Sequence, residues 1–258
     1  MSKLVIAALI LGWPGCAPLN KPCSFSAPAH LVDLTHTLTP RFPYIPIKDI
    51  TFPIRITSIA DMKKDGVYSN KWELTEHNGT HIDAPNHFDE AARGLDQIGA
   101  NELFVPAAVI DFREQTKASA DALVTVADIK SWEGAHGRLP ARAAVLLWSG
   151  WETRAASQSQ FINADASGRM HFPGFSEAAV TFLVNERQVS GIGTDTLSID
   201  SGLDTHFSAH RKWFASNKWA LECLARLGEI PAVGASLIVG AVRVEKASGG
   251  PARVFAVW

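Results

Sequence analysis

Residues 105–112 read VPAAVIDF and residues 143–148 read AAVLLW. Both runs are apolar with little alternation and are bounded by polar turns, the pattern of strands buried on both faces. Between them, Thr125-Val126-Ala127-Asp128 has the spacing of a capping box with Asp in place of the usual Glu, which predicts a short helix over residues 126–134. Ser176-Glu177 opens a second helix that runs to Gln188, and Val189 to Thr194 follows as a strand ending at Asp195. Residues 219–227 read as helix, and residues 236–244 and 252–258 as closing strands, joined through a turn at Ser248-Gly249-Gly250-Pro251. Toward the N-terminus, Ile50, Phe52, Ile54 and Ile56 alternate with polar residues as in a half-buried strand, and Pro53 puts that strand at a sheet edge. Residues 30–47 read as a strand leading into a Pro-rich loop. The sum is one mixed α/β domain with long loops and no internal repeat or low-complexity linker.

The 258 residues are 47% hydrophobic and 19% charged, a globular composition that excludes a disordered chain. A net charge of −2 gives no basic surface for nucleic acid. No apolar run reaches the ~18 residues of a membrane span. Met-Ser-Lys followed by the apolar stretch from Leu4 to Trp13, and then by Pro14, Gly15, Pro18 and Pro22, has the form of a secretory signal, the alternative being an ordinary buried element. Residues 1–27 are therefore expected to be a signal peptide and N-terminal linker, with cleavage before Cys16 as in a lipoprotein or near residues 24–27. The folded part is expected over residues 28–258, and the chain is expected to be exported, with a periplasmic location. Three cysteines, Cys16, Cys23 and Cys223, provide no disulfide framework.

Of nine histidines, three fall in the window His77-Asn78-Gly79-Thr80-His81-Ile82-Asp83-Ala84-Pro85-Asn86-His87, the middle of a long loop that begins at Glu76. A lone histidine is usually a satisfied polar residue, and a His-x-x-x-His pair alone says little. Two such histidines with Asp at +2 supply the mixed imidazole and carboxylate set that borderline divalent metals take, with a coordination position left for water. His77, His81 and Asp83 are the candidate ligands. Gly79 allows a tight turn between the histidines, Pro85 stiffens the exit, and Ala84 before it favours extended backbone. His87 lies beyond, placed to move protons. A second cluster comprises Asp195, Ser198, Asp200, His206, His210 and Glu222. Each could be a turn cap or a solvated residue, but Glu222 sits in the apolar run Trp219-Ala220-Leu221-Glu222-Cys223-Leu224, where a buried carboxylate needs a partner.

The pattern His-x-Gly-Thr-His-x-Asp-x-Pro-x-His, met in full by residues 77–87, resembles that of the metal-dependent cyclase family, which includes kynurenine formamidase and isatin hydrolase. His210 and Glu222, twelve residues apart, resemble the family's downstream His and Glu, and the segment from Gly193 to Asp200 is also family-like. The resemblance runs from about Val32 to Trp258. The segments 66–70, 171–175 and 249–255 resemble the isatin-hydrolase branch. What the resemblance implies is a swivelling β/β/α cyclase-like single domain, usually a homodimer or higher oligomer. His77, His81 and Asp83 would be primary metal ligands, Asp83 would bridge to a second position completed by His210 and Glu222, and His87 would be the general acid/base. The implied reaction is hydrolysis of an amide by metal-activated water, here the ring of a small aromatic cyclic amide, isatin opening to isatinate. An arylformamidase acting on N-formylkynurenine and a secreted metal-binding module without turnover are the alternatives. Zn²⁺ and Mn²⁺ both suit the donors, and one ion or two remain open. Phe42, Tyr44, Trp72 and Trp213 are candidates for an aromatic pocket wall, with core packing as the competing reading.

Overall fold

The computed structural model describes residues 28–258. The expected signal peptide, its cleavage sites, Cys16 and Cys23 lie outside the described residues. Among the described residues, no helix is long and apolar enough to cross a membrane.

Both decisive apolar runs form strands. β1 (Leu31–Asp33), β2 (Arg55–Ala60), β3 (Ser69–Glu73), β4 (His81–Asp83), β5 (Phe104–Asp111), β6 (Leu123–Val124), β7 (Ala144–Trp148), β8 (Gly174–Phe175), β9 (Gly191–Thr194), β10 (Trp219–Glu222), β11 (Val233–Ala241) and β12 (Gly249–Val257) alternate with six α-helices. These are α1 (Met62–Asp65), α2 (Arg113–Ala118), α3 (Val126–His136), α4 (Gln158–Ile162), α5 (Glu177–Phe182) and α6 (Ser208–Phe214). Strands β5, β7, β9 and β10 run parallel, while β11, β12 and β4 complete the circuit with antiparallel pairings. The circuit closes because β4 pairs with β10 on one edge and with the start of β12 on the other. The result is a barrel of seven strands, with β1 added beside the far end of β12.

The alternation within β5 explains the two-sided burial. Val105, Ala107 and Val109 join Leu146, Leu221, Leu237 and Val254 in a core within the barrel. Ala108 and Ile110 face the other way and pack with Val145, Leu147 and Ile192 against Ile129 and Trp132 of α3, Val180 of α5 and Trp213 of α6. The expected mixed α/β single domain therefore holds. The helix at residues 126–134 is α3, with Thr125 accepting from the Asp128 N–H and Asp128 accepting from the Thr125 N–H. Ser176 caps α5 through the Ala179 N–H.

Four expectations change. Residues 219–222 form strand β10 rather than a helix; all four are buried between β9 and β4. Four apolar-rich residues carry no period that separates strand from helix, and tertiary pairing decides. Residues 81–83 form strand β4, so the centre of the expected Glu76 loop is buried sheet. Gly249 to Pro251, expected as a turn, pair with β4 in register Gly249↔Asp83 and Pro251↔His81. The strand expected from Ile50 begins only at Arg55 and is exposed along almost its whole length; it pairs with β3 in a separate ribbon.

Candidate metal centre

The site is built where β4, β10 and α6 converge. Gly79, at φ +70°, reverses the chain before β4 in a left-handed conformation that glycine adopts without strain, and a Cβ there would lie 2.8 Å from Leu38 Cδ1. β4 then turns His81 and Asp83 to the same side, because side chains two apart share a face. Ala84 is extended at φ −96° and ψ 158°, and Pro85 opens a single 3-10 turn, Pro85–His87, that brings His87 back over His77. β10 places Glu222 directly across from His81, the two being register partners. α6 contributes His210 from its buried face.

The structure brings the five expected ligands together. His77, His81 and Asp83 each offer an atom within a 4.8 Å group, as do Asp83, His210 and Glu222, so Asp83 is shared by both. His77 Nδ1 is 2.6 Å from Asp83 Oδ1. His81 Nε2 is 3.1 Å from Asp83 Oδ1 and 3.3 Å from Glu222 Oε2. His210 Nε2 is 3.2 Å from Glu222 Oε1 and 3.6 Å from Asp83 Oδ2. Asp83 has no exposed surface, and His81 and Glu222 are 2% and 5% exposed.

The outward nitrogens decide what those contacts are. His81 Nδ1 lies 2.8 Å from the Gly79 carbonyl, which only accepts, so Nδ1 carries the proton. His210 Nδ1 lies 2.5 Å from the Asp200 carboxylate and donates to it. In the neutral rings, both Nε2 atoms are then bare lone pairs aimed at carboxylate oxygens. His81 Nε2 and Asp83 Oδ2 are buried without a hydrogen-bond partner. One such orphan costs about 1–3 kcal/mol, and here two adjoin. The arrangement calls for positive charge between the donors, either protons or a cation. Imidazole nitrogens held from behind by a carbonyl or a carboxylate are the usual state of metal-ligating histidines. The residues present therefore fit a divalent cation.

The titration behaviour has the same origin. Burial disfavours the His81 imidazolium, but Asp83 and Glu222 more than reverse this and carry its pKa to about 10. Burial would raise Asp83, yet the adjacent His81 and His77 hold it well below the usual carboxylate range. His87 goes the other way: burial first, and then the neighbouring His77 and His210 against the pull of Asp83, lower its pKa to about 4. The His87 ring stacks on His77 with centroids 3.9 Å apart and lies 5.9 Å from the His210 ring. It is beside the donor cluster without belonging to it, and it is a free base at neutral pH.

The second sequence cluster divides. Asp200, His210 and Glu222 are at the centre, Asp200 as the acceptor that also takes the Ala209 N–H at 2.6 Å. Glu222 Oε1 further accepts the Ile199 N–H at 2.9 Å. Asp195 is buried elsewhere, accepting from the Ser149 hydroxyl at 2.6 Å and the Trp151 N–H at 2.9 Å. His206 is exposed, and Ser198 Oγ accepts from the Asp200 N–H at 3.2 Å. Of the aromatic candidates, Phe42 packs with Phe161, and Trp213 lies in the helix-side core with its indole N–H donated to Trp219 O. Trp72 is 68% exposed on the β2–β3 ribbon. The rings beside the centre are Phe88 and Phe214, with Phe207 against Phe88. Phe88 and Phe207 carry no sequence signal beyond their proximity to His87 and His210.

The family model described as "Putative cyclase" matches residues 32–201. An isatin hydrolase of Roseibium aggregatum is 32% identical over 246 residues, covering 90% of this chain and 93% of the relative. The structure superposes on an isatin hydrolase bound to the product analogue thioisatinate with a TM-score of 0.84 and 31% identity, covering 88% of this chain and 92% of that one. Isatin hydrolase A from Ralstonia solanacearum gives a TM-score of 0.83 and 33% identity, with 88% and 91% covered.

Proposed function

The chain belongs to the Cyclase family, and from that premise we propose that it is a metal-dependent amidohydrolase that opens the ring amide of isatin to isatinate. One observation carries the reading: the Nε2 atoms of His81 and His210, whose Nδ1 atoms are committed to Gly79 and Asp200, face the Asp83 and Glu222 carboxylates, in a chain similar over 90% of its length to an isatin hydrolase. His77, His81 and Asp83 would hold the cation, and His210 and Glu222 would complete a second position that shares Asp83. Zn²⁺ and Mn²⁺ are both suited to imidazole with carboxylate. When bound, such a cation polarises the amide carbonyl and lowers the pKa of water at the site toward neutrality.

The remaining work falls to the protein. His87 is neutral at pH 7, since its pKa is lowered to about 4. It takes a proton from the attacking water as the oxygen adds to the amide carbonyl carbon. It returns that proton to the ring nitrogen as the C–N bond breaks, leaving an aromatic amine and a carboxylic acid that ionises by releasing its proton to solvent. Proton transfer of this kind contributes roughly 10²–10⁴ in rate. Stacking on His77 holds the His87 ring in place, and Phe88 and Phe214 stand at its edges. Phe88, partly exposed, offers a face that suits a planar aromatic substrate, while Phe214 is buried in the core behind His87.

The test is a substrate panel of isatin, other cyclic imides and N-formylkynurenine, run with added Mn²⁺ or Zn²⁺. Isatin consumption that a chelator abolishes is the expected result. Turnover of N-formylkynurenine alone would transfer the chain to the arylformamidase reading. Bound metal without turnover of any of them would leave a metal-binding module.

A homodimer or higher homo-oligomer forms part of the same proposal. It is supported by the β2–β3 ribbon, which exposes Ile56, Ile59, Tyr68 and Trp72 although an isolated two-stranded ribbon is marginal in water. Light scattering of the wild type against a Trp72→Ser variant measures it. Export to the periplasm rests on the sequence from Leu4 to Trp13 and is measured by cell fractionation.

A further inference from the structure

His77 is the one imidazole of the centre whose outward nitrogen meets neither a carbonyl nor a carboxylate. Its Nε2 lies 3.0 Å from Ser248 Oγ. A serine hydroxyl has a single proton, and Ser248 Oγ is 2.5 Å from Glu76 Oε2, a carboxylate oxygen that also accepts the Ser248 N–H. The serine proton therefore goes to Glu76. What remains on Ser248 toward His77 is a lone pair, which can only accept. Nδ1 lies 2.6 Å from Asp83 Oδ1, so both ring nitrogens face acceptors; once a cation takes the Nδ1 lone pair, the one remaining proton sits on Nε2 and is donated to Ser248.

Ser248 is itself fixed. Its N–H donates to the same Glu76 oxygen at 3.1 Å, and its carbonyl accepts the Ala84 N–H at 2.8 Å, one residue beyond Asp83. Gly249 forms the floor of the seat: a Cβ there would come within 2.6 Å of His77 Cε1 and 3.0 Å of its Nδ1. The opening of β12 thus holds His77 by a hydroxyl at one edge and by the absence of a side chain beneath the ring.

We propose that Ser248 and Glu76 are positioning residues that set the His77 tautomer, through a Glu76–Ser248–His77 relay, and with it the cation affinity of the site. The inference rests on the cation-binding half of the proposed function and not on the identity of the substrate. Outer-sphere partners of this kind contribute ~10–100-fold to metal affinity. Ser248→Ala removes the acceptor of the Nε2 proton and leaves the cation-binding form of His77 without its outer partner. Ser248→Thr keeps the hydroxyl and restores it. Glu76→Gln keeps an acceptor but loses the charge, and because Glu76 is exposed its effect is smaller.

Two measurements without substrate test this. Nitrogen-15 histidine spectra of the Zn²⁺-loaded protein should show the His77 Nε2–H hydrogen-bonded and slow to exchange with solvent in the wild type and Ser248→Thr, and shifted and faster-exchanging in Ser248→Ala. Mn²⁺ and Zn²⁺ titrations should give a Kd raised ~10–100-fold in Ser248→Ala, raised less in Glu76→Gln and close to wild type in Ser248→Thr. A Ser248→Ala protein with wild-type Kd and an unchanged His77 spectrum overturns the relay, as does a wild type that binds neither metal. A wild type that binds metal but leaves isatin intact overturns the substrate reading and leaves the relay standing.

Discussion

His171 and His81 each lie between two carboxylates at similar distances, and their surroundings make them different groups. His171 Nδ1 is 2.9 Å from Asp121, and its Nε2 is 3.4 Å from Asp165. Both faces of that ring have a carboxylate, the ring is partly open to water, and Arg169 adds its own charge at 2.8 Å from Asp165. A proton on His171 completes the network. His81 faces Asp83 and Glu222 with one nitrogen only, since the other is committed to Gly79, and no Lys or Arg side chain pairs with either carboxylate among the described residues. The lesson is that His-plus-carboxylate proximity does not identify a metal centre. The identifying features are outward nitrogens already bonded, burial that excludes water, and no resident cation to balance the charge.

The contrast can be broken most directly at Asp83. Asp83→Asn should abolish Mn²⁺ and Zn²⁺ binding in titration and take isatin turnover to background, whereas Asp165→Asn should leave both intact. His77→Ala should behave as Asp83→Asn does; an active, metal-replete His77→Ala protein would overturn the ligand assignment. His87→Ala comes next: metal content by elemental analysis stays at the wild-type level, while kcat falls roughly 10²–10⁴-fold. Cation binding should also register as stability. At a hundred times Kd, a ligand that binds only the folded state adds about 2.7 kcal/mol, which for a chain of this size raises Tm by about 5–10 °C. His171→Ala should retain that rise and His81→Ala should lose it.

The smallest effect concerns pH. Hydrogen bonding to Asp121, against slight desolvation, raises the His171 pKa above its ordinary 6.5. A group whose pKa is raised on folding stabilises the protein fully below its unfolded pKa, and that stabilisation is lost as pH rises through the folded value. Wild type should therefore exceed His171→Gln in Tm at pH 6, and the gap should close toward alkaline pH. A gap that widened with pH would contradict the protonated-network description.

Much of this contrast was legible in the chain, and unevenly so. The motif from His77 to His87 presents its ligands within one short stretch, so residue type and spacing suffice. The buried runs at residues 105–112 and 143–148 were legible because a strand covered on both faces needs no alternation. Strand β10 was not, since Trp219-Ala220-Leu221-Glu222 has good helix formers and its strand state comes from β9 and β4 on either side. The same pairing hid the position of Glu222 while leaving its need for a partner visible. Asp200 was seen as a member of a cluster, but its bond to His210 Nδ1 depends on how α6 is set against the barrel. Ser248 and Glu76 had no signal at all: a serine before two glycines reads as a turn, and only the pairing of β12 with β4 makes it a seat.

That pairing has a bearing on biosynthesis. Residues 77–83 leave the ribosome long before residues 248–257 are made, yet β4 obtains one of its two edges, and His77 its backing, from the later segment. A chain without residues 248–257 lacks one edge of β4 and the backing of His77, so the site is complete only after the last strand docks. Contacts so distant in sequence form late and slowly, so the donor set is assembled by the finished barrel and not by the motif alone.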